Sequence, residues 1–138
     1  MDEQLLRATG SIRGVVCSPA GTALTIRRAS DGGWELPGGR IRAGEDVTEC
    51  LQRELLEEVD LTVAIHQPVH AYTWENDEGK DRFAVYYRCS SERDPVTLSD
   101  EHTDSEWVSA ATARERLSDP QMTACRRALQ ASPDVAIE

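Results

Sequence analysis

The sequence has no surplus of basic residues, no long apolar run and no closely spaced cysteines, and each lack removes a class of protein. Lys and Arg number 15 against 25 Asp and Glu, for a net charge of −10. Proteins that coat nucleic acid or lie on anionic membranes depend on excess Lys/Arg, so neither a nucleic acid polymer nor a membrane is an expected partner. No segment approaches the roughly 20 apolar residues of a membrane span. The N-terminal MDEQLLRATGSIRGVV carries acid where an export signal carries base. Cys17, Cys50, Cys89 and Cys125 are too far apart for a metal finger, and His66, His70 and His102 are the only histidines. The cysteines therefore read as reduced thiols, and a reducing, cytoplasmic location is expected. Repeats, low-complexity tracts and linkers are also missing, so residues 1–138 read as one domain, monomeric or homodimeric. At 39% hydrophobic residues, the chain can bury a core without disulfides. A small anionic ligand stays compatible with the acidic balance if local Arg/Lys or a bound cation offsets the field.

What is present is an alternation of strand and helix signals. Ser11 to Cys17 and Thr22 to Arg28 are β-rich runs joined by Ser18-Pro19-Ala20-Gly21, with Leu24 and Ile26 on a buried face. Asp31-Gly32-Gly33 predicts a turn and Trp34 to Leu36 a short strand that Pro37-Gly38-Gly39 breaks. A helix follows from Val47 to Val59, with Asp46 as N-cap and Glu49 completing a capping box. Leu61 to Trp74 and Arg82 to Cys89 read as strands around the turn Asn76 to Gly79, with Phe83, Val85, Tyr87 and Cys89 alternating onto one side. An acidic, Ser-rich loop leads to a short strand, Glu106-Trp107-Val108. Helices near Ala110 to Leu117 and Gln121 to Ala131 end before Pro133. A mixed β-sheet flanked by helices, an α/β/α sandwich, is the economical architecture.

On the central helix, Leu51, Leu55, Leu56 and Val59 are expected to face the sheet, while Glu54, Glu57 and Glu58 cluster beside them. That placement is poor for stability alone. Glu54 and Glu58 form an i,i+4 like-charge pair costing about 0.2–0.5 kcal/mol, and Glu57 and Glu58 sit at the negative end of the helix dipole. A hard divalent cation would relieve the repulsion, because Mg²⁺ prefers carboxylate, carbonyl and water oxygens. The Gly38-Gly39 pair can bring bare backbone close to it, and the Gly38 carbonyl is a further candidate ligand. A solvated acidic face is the bland alternative. Neither a P-loop nor a dinucleotide-binding fingerprint is present.

The run Gly39-x5-Glu45-x7-Arg53-Glu54-Leu55-x-Glu57-Glu58-x-Asp60-Leu61 resembles the signature of the Nudix hydrolases. The resemblance implies an α/β/α sandwich that hydrolyses a nucleoside diphosphate linked to another group, using Mg²⁺ or Mn²⁺. It makes Glu57 and Glu58 metal ligands, Glu54 a ligand or base, and Arg53 the arginine that orients these glutamates, with Glu45 as its partner or an outer ligand. Glu101, in the loop before Glu106-Trp107, is a candidate base or extra ligand. Arg28 and Arg40 resemble phosphate-contacting positions. Asp60 departs from the pattern, which asks for Gly. The position follows the helix and is expected to adopt the left-handed cap conformation, in which Asp is a tolerable substitute.

Size and motif order favour a nucleoside triphosphate, including oxidised nucleotides, as substrate. ADP-ribose, a nucleotide sugar, or a regulatory domain without catalysis are the alternatives. Trp34, Tyr72, Trp74 and Tyr86 are core or base-stacking rings, and the histidines have no assigned role.

Overall fold

A computed structural model describes residues 4–91 and 95–131. Pro133 and the middle of the Ser-rich loop, residues 92–94, lie outside them. Seven strands, β1 (Thr9–Cys17), β2 (Ala23–Arg28), β3 (Trp34–Glu35), β4 (Gly38–Arg40), β5 (Ala64–Glu75), β6 (Asp81–Ser90) and β7 (His102–Val108), form one mixed sheet. Helices α1 (Val47–Val59), α2 (Ala110–Arg116) and α3 (Gln121–Gln130) cover it.

Strand β1 is the axis of this sheet. It runs parallel to β6 over its whole length and antiparallel to β4 at Ser11 to Arg13, and it meets β2 where Cys17 faces Ala23. Strand β2 continues to β3 and β7, while β5 flanks β6 at the other edge. The β1–β2 turn is closed by Gly21, whose φ of 79° suits a residue without Cβ, and by the Ser18 and Thr22 hydroxyls 2.7 Å apart.

Both faces of the sheet are buried. On one, Ile12, Val16, Leu24 and Ile26 meet Leu51, Leu55 and Val59 of α1. On the other, Val15, Leu36, Ala84 and Tyr86 meet Ala113, Ala124, Cys125 and Ala128 of α2 and α3. The chain is thus the expected α/β/α sandwich. Three expectations change. Leu56 is 54% exposed and does not join the α1 stripe, because it lies about 140° around the helix from Leu51 at 100° per residue. Gly38 to Arg40 is a strand, not simply a break. On β6 Phe83, Val85, Tyr87 and Cys89 share one face as expected, but of these only Cys89 is fully buried, and the opposite face buries Ala84, Tyr86 and Arg88 as well, because helices cover the sheet on both sides.

Candidate active site

The site begins with the way α1 is held. Asp46 caps its N-terminus, accepting from the amides of Thr48 and Glu49 at 3.0 and 3.1 Å. Its C-terminus ends at Asp60 in the left-handed conformation, φ 56° and ψ 41°, as expected for the position where the signature prefers Gly. With both ends set, Glu54 and Glu58 project toward β4.

Glu58 points inward and is 9% exposed. Its Oε1 accepts from the Gly38 amide at 2.9 Å. Burial, reinforced by the charges of Glu54 and Glu35 and opposed by the Gly38 amide and Arg13, pushes its pKa up to about 7. Two glycines make this approach feasible. Gly38, at φ 152°, has no room for a Cβ against the Ile12 carbonyl and Arg13, and a Cβ on Gly39 would overlap the Glu54 carboxylate.

Arg53 gathers the other acids. Its Nε and Nη2 reach the Glu45 carboxylate at 3.1 and 3.3 Å, and its Nη1 reaches Glu54 at 2.9 Å and Glu57 at 3.4 Å. The planar fork suits this role, since one guanidinium can satisfy several carboxylates in fixed directions. Arg53, with the Arg42 amide, holds the Glu45 carboxyl down at about 2.

Two of the other expected residues, Arg28 and Glu101, meet beside Glu35. Arg28 is ion-paired to Asp31 at 2.8 Å and to Glu35 at 3.0 Å. It lines a cavity of about 440 Å³ together with Ala29, Ser30, Glu35, Glu101 and His102. Glu101 and Arg28, 73 positions apart in sequence, thus share one cavity, and the Glu101 carbonyl accepts from the Ala29 amide at 2.9 Å. The Glu101 loop is tied to α1, because the Ser99 amide donates to the Glu58 carbonyl at 3.0 Å. Arg40 lies exposed at the end of β4, opposite Ser11.

Sequence reasoning missed three residues here. Glu35 is the hub, meeting Arg13 at 3.6 Å, Arg28 at 3.0 Å and His102 Nε2 at 2.8 Å while only 8% exposed. Arg13 also donates to the Leu36 carbonyl. The available signal was a charge inside each apolar run, Ile12-Arg13-Gly14-Val15 and Trp34-Glu35-Leu36, since buried charges occur where they are paired. The pairing of His102 with Glu35 had no sequence signal.

Among the described residues no three acidic, imidazole or thiol side chains converge closely enough to hold a metal. Glu54 and Glu57 are turned to Arg53 and Glu58 to Gly38. The donor chemistry nevertheless suits a hard cation. All three side chains are carboxylates, Glu58 is buried against the charges of Glu54 and Glu35, and the bare Gly39 leaves room at the Glu54 carboxylate.

Comparison with known proteins decides the family. A NUDIX domain model matches residues 8–128. The chain belongs to the Nudix family. A MutT-like protein of Streptomyces ambofaciens is 30% identical over 109 residues, covering 79% of this chain and 69% of that one. Among solved structures, a MutT protein from Methanosarcina mazei Go1 superposes with a TM-score of 0.78 at 25% identity, covering 91% of this chain and 96% of the other. A C. elegans Ap4A hydrolase superposes equally well, TM-score 0.78, at 23% identity over 87% of this chain and 94% of its own, a likeness of fold. As a Nudix hydrolase the protein acts on pyrophosphate bonds, and Nudix hydrolases generally use divalent metals. Among the described residues no helix is long and apolar enough to cross a membrane.

Proposed function

We propose that this Nudix hydrolase is a Mg²⁺- or Mn²⁺-dependent pyrophosphohydrolase of a nucleoside triphosphate or related small nucleotide, oxidised nucleotides included. The observation that carries the reading is the arrangement at α1, where Arg53 holds Glu45, Glu54 and Glu57 together and Glu58 is buried against Gly38. Glu54, Glu57 and Glu58, with the Gly38 carbonyl, would hold the cation. When bound, it neutralises phosphate charge and polarises the bond under attack.

The chain's own residues supply the rest. Arg53 orients the carboxylates, taking one oxygen of Glu54 and one of Glu57 and leaving the second oxygen of each to serve as a ligand. Arg28 binds substrate phosphate by exchanging one carboxylate partner for another anion, and Arg40 adds positive charge beside Gly39. Glu101 accepts the proton of the attacking water in the cavity it shares with Arg28, with Glu54 as the alternative base. The intact set of glutamates weighs against a silent binding domain, which would not require it.

The test is a panel of nucleoside triphosphates, oxidised nucleotides, ADP-ribose and nucleotide sugars, assayed with Mg²⁺, with Mn²⁺ and with EDTA. Fastest metal-dependent turnover of a triphosphate to its monophosphate is expected. Preference for ADP-ribose or a nucleotide sugar would replace the substrate assignment, and silence on every compound would sink the enzymatic reading.

A further inference from the structure

The end of the sheet remote from α1's acidic face holds an unabsorbed charge. Arg88, near the end of β6, is 7% exposed. Its Nε donates to the Ala128 carbonyl at 3.2 Å, while no protein acceptor reaches the sealed Nη1. None of the ion pairs among the described residues includes Arg88. The last-turn carbonyls of α3 contribute only partial negative charge. Water can accept a hydrogen bond from a buried guanidinium but cannot neutralise it, and an unpaired buried charge is among the costliest features in a fold.

Arg88 is also among the residues that line a cavity of about 500 Å³. Among the described residues its wall has no carboxylate and no second cation, and it includes Ser18, Thr62 and Ser90, of which Ser18 already bonds Thr22 and Ser90 bonds His66. Among the described residues, the neighbouring titratable groups do not offer a counter-charge. Burial raises the Cys17 thiol, keeping it protonated, and His66, on the hydroxyl of Ser90 at 2.8 Å, is lowered by burial and then by Arg88 itself. The cavity lies four residues along β1 from Arg13, the partner of Gly38, or about 13 Å at 3.3 Å per residue.

We propose that this cavity is a second ligand site, separate from the hydrolytic one, that takes a small oxyanion of the phosphate class on the Arg88 guanidinium. A tetrahedral oxyanion presents several acceptors at once, matching the donors of one guanidinium fork, and a cation without a counter-charge selects anion over neutral solute. The proposal does not depend on which nucleotide the enzyme cleaves. Pyrophosphate, the leaving group when a triphosphate is cut to its monophosphate, belongs to the same oxyanion class and is one source of such a ligand.

The experiment is thermal unfolding of the full chain in EDTA, with inorganic phosphate titrated against chloride at matched ionic strength. The wild type is expected to show a saturable rise in midpoint. Arg88→Met, which keeps the aliphatic stem without the charge, should lose that rise. Should Arg88→Met fold poorly, Ala64→Glu provides the second arm, since it places a carboxylate on the cavity wall. It should raise the midpoint without phosphate and abolish the response. Arg28→Met, which removes an arginine assigned to substrate phosphate, should keep the Arg88-dependent rise, and loss of that rise in Arg28→Met would place the response at the hydrolytic site and overturn the proposal. A wild type that does not respond, or Arg88→Met and Ala64→Glu variants that respond as wild type does, would overturn the proposal.

Discussion

Single side chains at this site carry opposed demands of stability and chemistry. Glu58 is buried among other acids, with its pKa lifted to about 7, so at pH 8 its ionised form costs the metal-free fold stability. Glu58→Gln keeps the shape and an oxygen to accept from the Gly38 amide while removing the charge. The expected result is a metal-free variant more stable by about 1–3 kcal/mol at pH 8, with turnover down by about 10²–10⁴. Denaturant unfolding and a rate assay on the same preparation check this, and wild-type turnover would contradict the site assignment. The two glycines separate fold from function. Gly38→Ala meets the Ile12 backbone and should impair folding, whereas Gly39→Ala meets only the movable end of Glu54 and should fold while losing activity. Circular dichroism alongside the same rate assay distinguishes the two. The glutamates of the proposed site stood out as residues because their crowding on one helix face had no structural purpose. Arg13, Glu35 and His102 were not, because their meaning lies in one another and they come from three different strands.

At the scale of the element, α1 was the most readable part of the chain, since local rules determine both its ends. Asp46 accepts the first free amides, and Asp60 takes the left-handed conformation that stops the helix. Asp60→Gly should therefore stabilise the protein by about 0.5–1 kcal/mol and leave kcat unchanged, because the carboxylates precede the cap. Chemical denaturation measures the first part, and a loss of stability would mean that the Asp side chain has a role beyond the cap. The strands were legible as runs of residues but not as partners. Strand β7 begins at His102, four residues before the Glu106-Trp107-Val108 expected from its β-rich tail, since pairing with β2 carries the ladder into a polar stretch with little β propensity. Strand β4 carries two glycines and has no propensity for extension. It exists because β1 offers it a hydrogen-bonding edge at Ser11 to Arg13.

For the whole molecule, the shifted carboxylates set how stability changes with pH when metal is chelated. Glu45 ionises near 2 when folded against an ordinary 4.5. Its contribution is fully present above about 4.5 and is lost as pH falls through about 2. Glu58 has the opposite sign. Between 4.5 and about 7 the folded state binds more protons than the unfolded one, so stability declines as pH rises across that interval. In EDTA the stability curve should therefore rise from pH 2 toward 4.5 and fall from there toward 7. Adding Mn²⁺ or Mg²⁺ at pH 8 should restore stability, because a ligand bound only by the native state stabilises it. Unfolding midpoints across pH test both, and no response to either metal would remove the cation from the site. Of the molecule as a whole, the sequence by itself determined the α/β/α class, the position and caps of α1, and the carboxylates it presents, all of which follow from patterns within a few turns of chain. Only the tertiary structure decided that Arg28 and Glu101 share a cavity, that Glu35 binds Arg13, Arg28 and His102, and that Arg88 is sealed beneath α3. Those relations depend on strand order and register, which long-range packing sets and no local pattern encodes.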